Sequence, residues 1–544
     1  MVDSADMAIA KTSQSHPLII NPVAIPDARG TIGLTFCPGK KHDSMYSGRW
    51  ERDLTVDLAA IQAFGAKALV TLMESHEFDG VKVSVADLAA QAKESGLEWH
   101  YLPIRDVSIP DERFEDQWTY AGRRLRTMLA RGDNIVVHCH GGLGRTGTVA
   151  ARLLVEFGDS PDVAIRKVRE ARPGSIETPA QEKYIKSCRP VVWARVMRSQ
   201  EERALACLLG GAIGDAFGYA VEFSSLQNIR ERFGPSGITA PVLHDGKLVV
   251  SDDTQMTLFT LEGLLQSLKN ESGWRSACIP SIRHAYLDWL HTQRGHAPTG
   301  TPVTSDRLIH RQAMCAQRAP GNTCLSALGS GGHGSIDQPI NESKGCGGAM
   351  RTAPIGLLAL TGADDIFRIG SEAAALTHGH PSGYLSAGTV AALVRVLIDG
   401  TSLSTRPGTY SDSSAIDQCC CILQTYPNHE ETLAAMQKAV QLASKKADSH
   451  ALAVESLGGG WVGEEALAIA LYAVLSAESY VEAISIASNH GGDSDSTASI
   501  TGQLWGAAHG LAGMPHEWVT SIDVLLPLLH LARQVPSRCF GTTD

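Results

Sequence analysis

The chain has 544 residues, which is too many for one ordinary hydrophobic core, so we expect two or more domains. Hydrophobic residues make up 43% and charged residues 19%, the proportions of a water-soluble globular protein. The net charge of −11 argues against a general nucleic-acid-binding or anionic-membrane-binding surface, although it leaves room for a local basic pocket.

The sequence gives no sign of a membrane span or a leader. The longest apolar stretch, near residues 467–477, is shorter than a bilayer requires, and charged residues interrupt the first dozen positions. The twelve cysteines show no paired metal-ligand spacing. We therefore expect reduced thiols in a cytoplasmic protein that has neither membrane nor nucleic-acid partners, while the oligomeric state is not predicted.

Up to about residue 175, short apolar runs alternate with helical patterns. The apolar runs at residues 68–72, 99–104 and 135–138 are typical of buried strands. The helices predicted in this half cover residues 53–64, 84–95 and 113–130. This alternation predicts an α/β domain with a parallel sheet that is covered on both faces.

A glycine-rich loop follows the last of these strands and leads into a helix. Its sequence, residues 137–146, is Val-His-Cys-His-Gly-Gly-Leu-Gly-Arg-Thr. Gly141, Gly142 and Gly144 allow successive backbone N–H groups to point inward. We expect these groups to form a nest at the helix N-terminus that attracts a phosphate dianion.

The side chains of this loop suggest a reaction at phosphorus. A nest of N–H groups favours the thiolate form of a cysteine at its base, and Cys139 lies there. Arg145 supplies a planar fork for phosphate oxygens. We therefore expect Cys139 to attack phosphorus, and Thr146 to donate a hydrogen bond to the sulfur when it leaves.

Two other interpretations compete with a reaction at phosphorus. A buried cysteine often only fills space, and Gly142-x-Gly144-x-x-Gly147 has the spacing of a dinucleotide-binding fingerprint. That fingerprint also needs an acidic residue after the next strand, roughly 20 residues on, whereas this chain continues as a predicted helix through Glu156. The Cys139-x5-Arg145 spacing favours the phosphatase interpretation.

Residues 28–190 resemble the cysteine-dependent dual-specificity phosphatases, most closely the cyclin-dependent-kinase-associated phosphatase group. Residues 102–106, Leu-Pro-Ile-Arg-Asp, resemble the general-acid loop of that family, which implies Asp106 as the acid; Asp111 is the alternative, unless it caps a helix. Residues 172–181 resemble the segment in which a glutamine, here Gln181, positions the hydrolytic water. The resemblance also implies that His138 belongs to the substrate-binding loop and that this domain needs no cofactor.

After about residue 200, strands nearly vanish and Ala- and Leu-rich helical patterns dominate, so we expect an all-α domain. Helices are predicted over residues 254–267, 384–399, 463–476 and 514–533. A helical pattern over residues 179–198 joins the two halves without a flexible linker, and the Ser/Thr-rich residues 401–414 predict a disordered surface loop. The predicted organisation is an N-terminal extension over residues 1–27, a phosphatase domain over 28–198 and a helical domain over 199–544.

Two acidic clusters precede predicted helices in this second half. One contains Ser251, Asp252 and Asp253, and the other contains Asp493, Asp495 and Ser496. A single cluster of this kind is usually a helix cap. Two clusters that converged would repel each other unless cations neutralised them. Because the donors are all oxygens, we expect two Mg²⁺ or Mn²⁺ ions, with Ca²⁺ a weaker alternative.

Residues 201–535 resemble the ADP-ribosylglycohydrolase family, an all-helical fold with a two-metal centre. The resemblance rests on residues 209–218 together with Glu222, on both acidic clusters, and on the loops at 345–351 and 458–461. Ser496 stands where threonine is common in the family. The resemblance implies substrate contacts from Gly347, Gly348, His378, Gly459 and Trp461.

The resemblance also implies a mechanism, in which the metals bind ribose hydroxyls and a water molecule. Glu222 would take the proton from that water, with a coordinating aspartate as the alternative base. His378 could equally be a core histidine without ligand contact.

Together these patterns predict a bifunctional hydrolase that removes phosphate and ADP-ribose. The expected substrates are phosphorylated or ADP-ribosylated proteins, or a small molecule such as a phosphorylated ADP-ribose. The competing hypothesis is a regulatory protein in which one domain binds phosphate or ADP-ribose without turnover.

Overall fold

The computed structural model describes residues 10–25, 30–44, 48–191, 195–269, 273–294, 307–403, 414–445 and 449–540. They divide into two compact units, the first within residues 1–193 and the second within 194–544.

The first unit is built around a five-stranded sheet with the order β1-β2-β7-β5-β6. Strands β2, β7, β5 and β6 are parallel, and β1 is an antiparallel edge strand. A separate antiparallel pair contains β3 and β4. The strands are β1 (Asn21–Ala24), β2 (Thr31–Phe36), β3 (Lys41–Ser44), β4 (Gly48–Glu51), β5 (Ala66–Thr71), β6 (Glu98–Tyr101) and β7 (Asn134–Cys139). The helices are α1 (Leu54–Ala63), α2 (Glu77–Val81), α3 (Val85–Glu94), α4 (Glu112–Arg131), α5 (Gly144–Glu156), α6 (Pro161–Ala171) and α7 (Pro179–Ser187).

The predicted α/β class of this unit is confirmed. Central strand β7 carries the fully buried residues Ile135, Val136 and Val137 between β2 and β5. Strands β1 and β2 were not predicted, and β1 lies inside the stretch that was expected to be an N-terminal extension. Its pairing with β2 makes it part of the sheet, so the extension is shorter than predicted.

The second unit is helical, as predicted. Its helices are α8 (Arg195–Tyr219), α9 (Leu226–Phe233), α10 (Asp252–Ser267), α11 (Trp274–Thr292), α12 (Asn322–Gly329), α13 (Ala363–Ala375), α14 (Pro381–Ile398), α15 (Ala415–Leu423), α16 (Glu430–Ala443), α17 (His450–Leu457), α18 (Gly463–Ser476), α19 (Tyr480–Ser488), α20 (Ser494–His509), α21 (His516–Ser521), α22 (Leu525–Ala532) and α23 (Val535–Cys539). Among the residues that the structure describes here, β pairing is limited to isolated bridges.

Two predicted helices are each interrupted. The pattern over 179–198 is wrong as one helix, because α7 ends at Ser187 and Cys188 takes an extended conformation; the next helix begins at Arg195. The pattern over 514–533 contains both α21 and α22. The backbone of Leu248 accepts from Asp523 N and donates to Ser521 O, and this pairing breaks the helix. Most of the predicted disordered loop, residues 404–413, lies outside the described residues.

Helix α14 is long and apolar enough to cross a membrane by length and composition alone, a feature that the sequence analysis overlooked. However, 94% of this segment is buried inside the unit. The helix therefore has the environment of a core helix packed against α13 and α20.

Candidate active sites

The first candidate site is the loop between β7 and α5. Cys139 is the last residue of β7, and the N–H of Gly142 donates to its Sγ at 3.2 Å. Gly142 has a φ of +72°, and a Cβ at this position would lie 2.2 Å from the carbonyl oxygen of Thr35. The turn that directs this N–H toward sulfur therefore requires glycine.

The guanidinium of Arg145 is held in one orientation beside this loop. Its Nη1 and Nη2 donate to Glu77 at 2.6 and 2.8 Å, and Nη1 also donates to the carbonyl of Ile104 at 3.0 Å. Burial is the largest single influence and would raise the pKa of Glu77. The hydrogen bonds and charge of Arg145, together with the backbone N–H of Glu74, outweigh burial and hold this pKa below its usual value. Glu77 was not predicted, because no local motif marks a residue so far from the loop along the chain.

The two candidate general acids, Asp106 and Asp111, have different surroundings in the structure. Asp106 Oδ1 lies 2.9 Å from Nη2 of Arg145, and its carboxyl is largely exposed. Asp111 is the N-cap of α4, where its side chain accepts from Phe114 N at 2.9 Å. Asp106 thus lies beside the phosphate-binding loop, whereas Asp111 caps a helix.

Substitution of the two aspartates should give different results. Asp106→Asn should lower turnover of phosphate esters with poor leaving groups by roughly 10²–10⁴-fold, because a general acid is lost. Asp111→Asn should keep turnover, since asparagine caps helices about as well as aspartate does. Steady-state rates on an alkyl and a nitrophenyl phosphate measure the difference. A loss confined to Asp111→Asn would assign the acid to Asp111 instead.

His138 does not face a substrate, contrary to its expected place in the binding loop. It is fully buried, and its Nε2 lies 2.8 Å from the hydroxyl of Thr71, which also accepts from Trp99 Nε1. Burial lowers the pKa of His138 to about 3. The neutral ring therefore braces β7 against β5 from behind the loop.

Gln181 and Thr146 have different surroundings. Gln181 is buried in the capping box of α7 with Thr178, and its Nε2 donates to the carbonyl of Ser108, near the acid-bearing segment. A Cβ at Gly144 would lie 3.0 Å from this nitrogen, so Gln181 adjoins the loop. The Thr146 hydroxyl is buried and has no hydrogen-bond partner among the described residues, which leaves it free for the sulfur. Both expected roles remain predictions.

Two further cations adjoin the loop. The side chain of Lys40 is 8% exposed and its ammonium lies over the rings of Phe36 and Trp50, at 4.5 and 4.9 Å. Arg172 donates to the carbonyl of Gly141 at 3.0 Å. Together with Arg145, which is paired with Glu77 and Asp106, they place three cations around the loop.

The second candidate site is a cavity of about 330 Å³ in the helical unit. Nine residues predicted for this site line it: Glu222, Asp252, Asp253, Gly347, His378, Trp461, Asp493, Asp495 and Ser496. Ser251, Gly348 and Gly459 were also predicted but do not line the cavity.

Each of these three has a structural role. Ser251 caps α10 and accepts from Asp253 N at 3.2 Å, whereas a Cβ at Gly348 would meet Ala374. Gly459 acts through its backbone, since its carbonyl accepts from Asp493 N at 2.8 Å.

Close packing of α8 against α20 brings the acidic residues together. Glycines recur every fourth residue on α8, at Gly210, Gly214 and Gly218, and a Cβ at Gly218 would lie 2.1 Å from the carbonyl oxygen of Ser494. The two backbones therefore touch. This contact places Glu222, just beyond α8, beside the start of α20, where Asp493 and Asp495 lie.

Asp215 is a site residue that the sequence analysis missed. It lies fully buried on α8 and accepts from Ser251 N and Thr254 N, both at 2.9 Å. Burial raises its pKa to about 6. Asp215 could have been predicted, because it is the one acid within the apolar, glycine-rich residues 209–218. Asp215 fixes the start of α10 and adds a fifth aspartate to the cluster.

The carboxylates carry more buried negative charge than the described residues neutralise. Burial, followed by the neighbouring acids, raises the pKa values of Asp252, Asp253 and Asp495 well above normal. Burial and the charges of Asp493, Asp252 and Asp215 raise that of Glu222 to about 8. Asp253 Oδ2 and Glu222 Oε2 have no hydrogen-bond partner in the described part of the chain. Such orphaned carboxylate oxygens fit divalent cations.

Two other features of the cavity were not predicted. The thiol of Cys346 donates to Asp493 Oδ2 at 2.8 Å, and burial raises the pKa of this thiol, so it stays protonated. Phe223 stacks on Trp461 with ring centroids 5.5 Å apart, and both rings are exposed. The site thus combines hard oxygen donors with an aromatic surface at its rim.

Comparisons with known proteins match each unit separately. The family model for ADP-ribosylglycohydrolase matches residues 197–542, and the model for the DSP-PTPase phosphatase of polymorphic toxin systems matches residues 47–159. ADP-ribosyl-[dinitrogen reductase] glycohydrolase of Rhodospirillum rubrum is 24% identical over 60% of this chain and 92% of its own. Cyclin-dependent kinase inhibitor 3 of Rattus norvegicus is 29% identical over 34% of this chain and 84% of its own.

Solved structures match the same two units. Kinase associated phosphatase, with its catalytic cysteine replaced by serine, is 26% identical, with a TM-score of 0.27 over 31% of this chain and 92% of its own. An ADP-ribosylglycohydrolase-related protein complex is 21% identical, with a TM-score of 0.40 over 63% of this chain and 99% of its own.

Proposed function

Because the chain belongs to the ADP-ribosylglycohydrolase family and carries a phosphatase-like domain before it, we propose that it is a bifunctional hydrolase. The helical unit would cleave glycosidic bonds of ADP-ribose in a metal-dependent reaction. The α/β unit would hydrolyse phosphate monoesters through a cysteine nucleophile. We place the protein in the cytoplasm, where its thiols stay reduced.

The phosphatase proposal is supported chiefly by the contacts of Cys139 and Arg145. The N–H of Gly142 stabilises negative charge on sulfur. Glu77 holds Nη1 and Nη2 of Arg145, which leaves Nε and the second Nη2 proton as donors for phosphate oxygens. Cys139 attacks phosphorus, the P–O bond breaks, and Asp106 protonates the departing oxygen. Water then attacks the phosphocysteine, Asp106 takes a proton from it, and the thiolate and phosphate are released.

The glycohydrolase proposal is supported chiefly by the unpartnered oxygens of Asp253 and Glu222 in a cluster of buried acids. Asp252, Asp253, Asp493, Asp495 and Ser496 would hold two Mg²⁺ or Mn²⁺ ions. When bound, the ions would supply charge stabilisation for ribose hydroxyls and for a water. With cations neutralising the aspartates whose charges raise its pKa, Glu222 would be the carboxylate that accepts the proton of the attacking water. The stacked rings of Phe223 and Trp461 form a surface for the planar parts of the substrate.

The proposed substrates carry phosphate, ADP-ribose or both. They are a phosphorylated or ADP-ribosylated protein, or a small phosphorylated ADP-ribose. Purified full-length protein should be tested on phosphopeptides, on ADP-ribosyl-arginine and ADP-ribosyl-serine peptides, and on ADP-ribose 1″-phosphate. We expect inorganic phosphate from the first class and free ADP-ribose from the second. Tight binding without release of either product would identify a regulatory binding protein instead.

A further inference from the structure

Beyond the acidic cluster, one wall of the same cavity is formed by His378. The residue is 1% exposed, lies just after α13 and lines the cavity, and its Nδ1 lies 2.8 Å from the hydroxyl of Thr377. Its Nε2 has no hydrogen bond among the described residues. Gly345 and Gly347 keep this edge of the ring open, since a Cβ at either would lie 3.4 or 3.3 Å from Nε2.

Arg351 lies directly behind Thr377. Its side chain is fully buried, and its Nη2 donates to the Thr377 hydroxyl at 2.6 Å and to the carbonyl of Ala373 at 3.3 Å. Its guanidinium lies 4.3 Å from the ring centroid of Tyr286. No carboxylate pairs with it in the part of the chain that the structure describes. A buried cation of this kind polarises the group that accepts its hydrogen bond.

The hydrogen bonds determine where the single hydroxyl proton of Thr377 goes. Its oxygen already accepts from Arg351, so its proton points either to His378 Nδ1 at 2.8 Å or to the carbonyl of Ala374 at 3.4 Å. That carbonyl already accepts the backbone N–H groups of both Thr377 and His378, each at 3.0 Å, which occupies its two lone pairs. Nδ1 is closer and accepts no other hydrogen bond among the described residues, so it is the better acceptor for this proton.

A hydroxyl that donates to Nδ1 requires an unprotonated Nδ1. The single ring proton of a neutral imidazole must then lie on Nε2. A doubly protonated ring would place Nδ1–H against a hydroxyl oxygen that already faces the guanidinium, and both burial and Arg351 oppose this charge by lowering the pKa of His378 to about 3.

We propose that Arg351 and Thr377 are positioning residues that hold His378 as the neutral Nε2–H tautomer, so that it donates a hydrogen bond into the cavity. This proposal rests on the proposed glycohydrolase function for the identity of the ligand. The group that meets Nε2–H is an oxygen acceptor, either a diphosphate oxygen or a ribose hydroxyl of ADP-ribose. A metal ion is excluded at Nε2, because coordination needs its lone pair.

The tautomer can be measured directly. Long-range ¹H–¹⁵N correlation spectra of the full-length protein labelled at histidine should show Nε2 as the protonated nitrogen of His378, assigned by the signal lost in His378→Gln. Thr377→Val should shift that signal toward a mixture of tautomers, and Thr377→Ser should restore it. An Nδ1–H tautomer in the unsubstituted protein would overturn the proposal, even if Thr377→Val failed to fold.

Calorimetry with Mg²⁺ present identifies the acceptor. We expect Thr377→Val to bind ADP-ribose about tenfold more weakly, the value of one well-aligned hydrogen bond, and Thr377→Ser to bind like the unsubstituted protein. If Thr377→Val loses the same affinity for ADP as for ADP-ribose, the contact is to the diphosphate. If it loses affinity for ADP-ribose alone, the contact is to the ribose. Unchanged affinity in Thr377→Val contradicts the proposal. If the unsubstituted protein binds neither ligand, the proposed function fails while the spectra still decide the tautomer.

Discussion

Cys139→Ser should reduce hydrolysis of aryl phosphates to background, a loss on the order of 10⁴-fold or more, because a serine hydroxyl at this position has no base to ionise it. Binding of a phosphate analogue such as vanadate or tungstate should survive, since the N–H of Gly142 and the fork of Arg145 remain in place. Stopped-assay rates and calorimetry on the same preparation measure the two quantities. Appreciable turnover by the serine variant would contradict a thiolate mechanism.

Two matched variants make this result specific. Cys37→Ala removes another buried cysteine near the loop, whose pKa burial raises to about 12, and it should retain most of the activity. Arg145→Lys keeps one positive charge but loses the paired contacts to Glu77, so we expect turnover to fall by about 10²–10³-fold. If Cys37→Ala were as inactive as Cys139→Ser, the loss would reflect damage to the fold near the loop.

The phosphate-binding loop could be predicted from the sequence because its residues are adjacent along the chain. Strand β7, the turn at Gly142 and helix α5 are local features, and each has its own residue pattern. The partners that orient the loop are not local. Glu77 meets Arg145 only after the sheet has formed, and Lys40 approaches through the β2–β3 connection. Edge strand β1 escaped prediction since short edge strands carry little periodicity.

In the helical unit, the acidic cluster could be predicted from the order of the motifs along the chain. Which of its residues line the cavity depends on how the helices pack. Ser251 was predicted as a ligand; in the structure its hydroxyl caps α10 by accepting from Asp253 N, and a ligand role for its second lone pair stays a prediction. Asp215 was overlooked although the glycine face of α8 brings it against that same cap. Backbone pairing of Leu248 with the segment after α21 split a helix whose composition alone predicts continuity.

The largest effect expected in the helical unit is loss of metal. Chelation should abolish release of ADP-ribose and spare phosphatase activity. Addition of Mg²⁺ or Mn²⁺ should restore the release of ADP-ribose. Metal present at 100 times its Kd stabilises the folded state by about 2.7 kcal/mol, so chelation should also lower the Tm of this unit. The stabilisation follows from the buried acids, which repel one another without cations.

Asp253→Asn tests whether repulsion among the buried acids explains why the metal stabilises this unit. The substitution should lose activity and bound metal together, while the metal-free protein should become more stable, because one buried charge has been removed from the cluster. Glu262→Gln is the matched control: Glu262 is a buried acid on the same helix, bonded to Leu308 N outside the cavity. It should retain metal and activity. Metal analysis and thermal unfolding with and without chelator give the comparison. Activity that survives exhaustive chelation, or a metal-free Asp253→Asn variant less stable than the metal-free parent, would show that the acids serve another purpose.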